Sequence, residues 1–117
     1  MPDRDKLIQA TFYRTARGAE PVREWLQDLD KQDRKLIGTD IKTVEFGWPI
    51  GMPTCRLMGK GLHEVRTDLS RNRIARVLFS VAGRKMFLLH GFIKKSKVTP
   101  KADLALARDR KRKLESK

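Results

Sequence analysis

The apolar residues change period partway along the chain, and this switch limits the fold more than any other feature. Val22, Trp25, Leu26 and Leu29 recur at i, i+3, i+4 and i+7, which is one apolar face of a short helix. Pro21 fits its first turn, where a missing N–H costs nothing. Leu36, Ile37, Ile41 and Val44 form a second stripe; Asp30 or Asp33 can cap that helix, and Gly47 with Pro49 ends it. From residue 54 the period shortens. Residues 54–58, 62–69, 73–81 and 84–93 read as strands, punctuated by Gly59-Lys60-Gly61, Ser70-Arg71-Asn72 and Ala82-Gly83. Residues 7–13, before the helices, are β-branched and aromatic enough for one more strand. Two tandem amphipathic helices must bury their stripes on something, and the strands of the second half supply that surface. The expected class is α+β, in the coarse order β-α-α-β-β-β-α. No internal repeat or linker divides residues 1–117, so one domain is expected, large enough for one modest core.

Side-chain alternation assigns faces. In 73–81, Ala75, Val77, Phe79 and Val81 share one face, and Ile74, Arg76 and Leu78 the other. The run 84–93 is apolar on both parities through Met86, Phe87, Leu88 and Leu89, which suits a strand covered on both sides. Thr99-Pro100 reads as an N-cap and first helical residue, opening a C-terminal helix over 100–114. Its stripe is thin, Leu104 and Ala107 mainly, so its basic end, about 109–117, is expected to fray into solvent.

Charge gives the first functional indication. Residues 1–53 hold 9 Lys+Arg and 9 Asp+Glu, whereas residues 54–117 hold 18 and 5, so the second half carries the whole net charge of +13. An excess so one-sided points to a polyanion, above all nucleic acid. With 39% apolar and 35% charged residues, the chain is too apolar for disorder and too interrupted for a membrane span. No basic stretch followed by an apolar core marks a signal peptide, and the lone Cys55 cannot form an internal disulfide, so the cytoplasm is the expected compartment. One Cys and two His without ligand spacing predict no metal site and no cofactor.

Three basic sites could carry chemistry. Arg66 shares strand parity with Leu62 and Glu64, and its plainest role is a Glu64–Arg66 pair on a solvated face. Arg76 interrupts an apolar strand, which is costly unless its head reaches water, a carboxylate or a phosphate. Lys94-Lys95-Ser96-Lys97 ends the last strand in several ammonium groups held close together. Their repulsion favours some free amine, which can take a proton from a ribose 2′-hydroxyl. A neighbouring cation can then stabilise the phosphorane-like charge and protonate the leaving 5′-oxygen, which is metal-free RNA cleavage by transesterification. His90 shares parity with Lys94 and is an auxiliary candidate beside the plainer role of a hydrogen-bonded core histidine.

At these residues the chain resembles a known family. His90-Gly91-Phe92-Ile93-Lys94-Lys95-Ser96-Lys97-Val98-Thr99-Pro100 is similar to the signature of the phage-derived HigB-like toxins of the RelE/ParE superfamily. Gly61-Leu62-His63-Glu64-Val65-Arg66, Pro21-Val22-Arg23-Glu24-Trp25-Leu26 and Ala105-Leu106-Ala107-Arg108 look like further segments of that family, although His63 stands where it often has Tyr. The resemblance implies a RelE/ParE-like fold, a small twisted and mainly antiparallel sheet with an N-terminal helical hairpin and a C-terminal helix. It also implies a ribosome-dependent mRNA interferase that cuts in the ribosomal A site and is neutralised by a HigA-like helix-turn-helix antitoxin. Arg76-Val77-Leu78-Phe79 matches an Arg-x-x-aromatic pattern whose arginine contacts the scissile phosphate in related toxins. The resulting expectation places Arg76 on the phosphate, Lys94 or Lys95 as base or acid, and Arg66 in support, with Lys60, Arg73 and Lys97 holding RNA. The alternatives are a ParE-like DNA gyrase inhibitor, which shares the fold, and a non-catalytic RNA-binding protein.

Overall fold

The structure is a computed structural model and describes residues 6–95 and 98–116. Its elements are β1 (Gln9–Phe12), α1 (Pro21–Asp28), α2 (Lys31–Gly47), β2 (Cys55–Gly59), β3 (Leu62–Asp68), β4 (Ile74–Ala82), β5 (Lys85–Lys94) and α3 (Lys101–Glu115). The class is α+β as expected. The four strands of the second half lie within a residue of the four ranges read from the sequence, and the coarse order, with three, is one short. The sheet runs β1-β5-β4-β3-β2. Neighbours from β5 to β2 are antiparallel, while β1 lies parallel to β5 and makes the sheet mixed.

Local chemistry accounts for the helices. Pro21 opens α1, and the Asp30 side chain caps α2 by accepting the Asp33 backbone N–H at 2.9 Å. The apolar stripes of both helices pack on one face of the sheet with Val65, Ala75, Val77, Phe79, Met86 and Leu88. There the Trp25 ring lies on Gly91, with ring carbons 2.4 Å from where a Cβ would stand, so this contact requires glycine. Glu45, on the buried side of α2, accepts the Ala10 N–H at 2.6 Å and pins β1 to the helix layer.

The opposite face carries α3 over Tyr13, Leu62, Leu78, Leu89 and Phe92. Two expectations for α3 are corrected. Pro100 rather than Thr99 is its N-cap residue, and no side chain caps it. The basic end does not stand free of the fold. Arg110 donates to the Leu89 carbonyl at 2.8 Å and stands 5.7 Å over the Tyr13 ring, and Leu114 packs against the second core. Arg108 reaches across to the Met58 carbonyl at 2.9 Å. Among the described residues, no helix is long and apolar enough to cross a membrane.

Candidate functional site

Strand register assembles the site on the α3 face. Arg66 lies opposite Arg76, and Arg76 opposite Phe92; Glu64 lies opposite Leu78, and Leu78 opposite His90. One step further along, Asp68, Ile74 and Lys94 form a third row, while Arg56 of β2 pairs with Glu64. Alternation therefore places Arg56, Glu64, Arg66, Arg76, His90 and Lys94 on one patch of the sheet.

Arg76 is not where an exposed phosphate contact would stand. Its side chain has no exposed surface, and its Nε lies 3.7 Å from Oε2 of Glu64, itself 1% exposed. The expected Glu64–Arg66 pair on a solvated face is thereby corrected. Glu64 sits beneath the patch and serves Arg76, and it also accepts a hydrogen bond from the Thr99 hydroxyl. Burial pushes the pKa of the Arg76 guanidinium down; Glu64 opposes this, and Arg66 and Arg56 add to it. The group is still a cation at neutral pH. Arg66 is half-buried and Arg56 exposed, so these two arginines present the positive charge to solvent.

The α3 side of the patch is organised by a residue that sequence reasoning passed over. Asp103, in the first turn of α3, places Oδ1 2.6 Å from Nε2 of His90 and Oδ2 3.6 Å from Nζ of Lys94. The His90 ring is stacked on Phe92, with centroids 5.6 Å apart and planes 26° apart. Lys94 thus has a carboxylate beside it. Lys95 lies apart, against the β3–β4 turn in a depression shared with Asp68, Asn72, Arg73 and Ile74.

The remaining expected residues are dispersed. Arg73 is occupied by Asp33 of α2 through two bonds of 2.8 and 3.1 Å, and the hydrogen bond raises its pKa. Lys60, in the tight β2–β3 turn with φ of 53°, is at the other end of the sheet. The six residues from Lys60 to Arg66 place it roughly 20 Å away along the strand. Lys97 lies outside the described residues. His63 is on the helix-hairpin face, stacked on Phe79 at 5.3 Å with Trp48 edge-on at 4.8 Å, and burial lowers its pKa. Asp103 carried no signal in the linear pattern, because it meets His90 only once α3 folds back across the sheet. Glu64 carried one, since it shares parity with Arg66 on a strand beside the arginine-bearing β4.

Fold and patch together define a small α+β protein whose mixed sheet is covered by helices on both faces and bears a basic patch beside α3. The family model described as Phage derived protein Gp49-like (DUF891) matches residues 24–112, and the chain belongs to that family. The family is phage-derived and commonly toxin-like within toxin–antitoxin systems. A search of curated proteins gives no match.

Proposed function

We propose that this protein is the HigB-like toxin of a type II toxin–antitoxin pair, that it cleaves mRNA in the ribosomal A site, and that a HigA-like helix-turn-helix antitoxin neutralises it. The observation that supports this reading best is the layered patch. A buried Arg76–Glu64 pair lies under Arg66 and Arg56, with Lys94 and His90 on β5, two strands from Arg66, roughly 10 Å by the usual strand spacing. A phosphodiester placed across that gap would meet arginines on one side and titratable groups on the other. The reaction is 2′-hydroxyl attack on the adjacent phosphate, with Arg66 and Arg56 stabilising the charge that develops on its oxygens. Arg76 acts here as a support beneath Arg66, since its head has no exposed surface. Lys94 supplies a proton donor, and Lys95, against the β3–β4 turn, can contact RNA backbone beyond the patch.

Pulse labelling after expression without a partner tests the target. Loss of methionine incorporation ahead of thymidine incorporation is expected, and the reverse order with double-strand DNA breaks would favour gyrase inhibition instead. End-group analysis tests the chemistry: a 2′,3′-cyclic or 3′-phosphate with a 5′-hydroxyl is expected, and a 5′-phosphate with a 3′-hydroxyl would overturn the transesterification.

A further inference from the structure

Cleavage by the 2′-hydroxyl needs a group that accepts its proton. We propose that Asp103 is a positioning residue that makes His90 the proton acceptor of this site and holds Lys94 beside it as the donor. The proposal rests on the RNA-cleavage reading and deepens it.

An ionised carboxylate can only accept hydrogen bonds, so the 2.6 Å contact with Asp103 Oδ1 requires a proton on Nε2 of His90. In the neutral ring the remaining lone pair is then on Nδ1. Among the described residues the ring makes no second hydrogen bond, so Nδ1 is left to substrate. Phe92 fixes the ring plane by stacking, and His90 sits within β5 rather than on a loop, so the orientation is built into the sheet. The other Asp103 oxygen lies toward Lys94, whose side chain is 49% exposed and can meet a leaving group.

Nδ1 of His90 takes the proton of the 2′-hydroxyl while that oxygen bonds to phosphorus. The bond from phosphorus to the 5′-oxygen breaks, and Lys94 gives that oxygen a proton. The products are a 2′,3′-cyclic phosphate and a 5′-hydroxyl, and exchange with water returns one proton to Lys94 and removes one from His90.

A purely structural Asp103 would tie α3 to β5 and set the tautomer without affecting turnover. Two measurements on the full chain test the premise and the role in turn. Nitrogen-15 NMR of the neutral imidazoles, with His90→Gln used for assignment, should find His90 protonated on Nε2 and bare on Nδ1. In Asp103→Asn the amide can donate to Nε2, so the ring should move toward the other tautomer. Turnover on ribosomes programmed with mRNA should fall on the order of a hundredfold or more in His90→Gln and Asp103→Asn, with KM little changed. The double variant should be no slower than the worse single one, because the two residues act as a unit. Thermal melts confirm folding; should Asp103→Asn not fold, the wild-type tautomer and His90→Gln decide. A proton on Nδ1 in the wild type, or folded His90→Gln turning over at the wild-type rate, overturns this inference and leaves the cleavage reading standing. A wild-type protein that cuts no mRNA on ribosomes overturns both.

Discussion

Arg76 shows how one residue can be read correctly for face and wrongly for exposure. Alternation alone places it opposite Ala75 and Val77, and register confirms that face. Whether the face is wet depends on Glu64, Thr99 and Phe92, which reach it from three other parts of the chain. Removing one partner of a buried ion pair leaves an uncompensated charge, so Arg76→Ala should cost about 3–5 kcal/mol. Replacing both partners by Arg76→Met with Glu64→Leu should restore much of that stability. Urea titration of the three proteins measures it, and an Arg76→Ala variant as stable as the wild type would contradict the burial argument. Cys55 gives a second residue-scale test. The side chain is 3% exposed, and its pKa is raised from 9.0 to about 11, chiefly by burial, with the Arg56 backbone opposing and Glu64 adding. Between those values the unfolded chain has lost a proton that the folded chain keeps. Stability should therefore be unaffected by this group below pH 9 and fall as pH rises toward 11, by about 2–3 kcal/mol in all. Cys55→Val should remove that part of the decline in a pH series of denaturation midpoints, and an identical decline in both proteins would assign it elsewhere.

At the scale of elements, periodicity located every helix and strand to within a few residues, because α1, α2 and the strands bury a face of their own sequence. Pairing partners were another matter. The parallel union of β1 with β5 joins segments more than seventy residues apart, and no local turn announces it. The extra residue that shifts register between β4 and β5, opposite Leu78 and Phe79, is likewise invisible in a run that is apolar on both parities. The C-terminal helix was underestimated for a related reason: its hold on the sheet comes from charged side chains bonding main-chain carbonyls, which a count of apolar residues ignores. Arg110 and Arg112 differ by two positions and by everything else. Burial pushes the Arg110 pKa down while its guanidinium bonds the Leu89 carbonyl, whereas the Arg112 side chain is 73% exposed and pairs with Asp109 in the same helix. A hydrogen bond from a charged group is worth about 1.5–3 kcal/mol, and an exposed helix pair about 0.3–0.5 kcal/mol. Arg110→Ala should therefore lower the melting temperature and weaken amide-exchange protection along α3, and Arg112→Ala should leave both nearly unchanged. Equal effects from the two substitutions would mean that α3 is held by its apolar contacts alone.

Across the whole molecule the charge asymmetry was legible as a number but not as a shape. The second half carries the +13, yet folding sends its cations to different places. Arg73 turns to Asp33, Arg108 and Arg110 tie down α3, and Lys60 stands at the far end of the sheet. What is left facing one patch is Arg56, Arg66 and Lys94, with Arg76 beneath. Net charge therefore overstates the binding surface, and position decides which cation matters. Arg66→Ala should cut turnover on programmed ribosomes on the order of a hundred- to a thousand-fold, since it removes a donor aimed at the charge developing on phosphate. It should also reduce the slope of log affinity against log salt for single-stranded RNA by about 0.7, the share of one phosphate contact. Arg66→Lys should recover the salt slope but only part of the turnover, because an ammonium cannot bond two phosphate oxygens as a planar fork. Lys60→Ala removes the same unit of charge roughly 20 Å away along β3 and should leave turnover at the wild-type level. Circular dichroism on each variant excludes unfolding. If Lys60→Ala is inactive while folded Arg66→Ala cleaves normally, RNA follows the other end of the sheet and the patch beside α3 is not the site of cleavage.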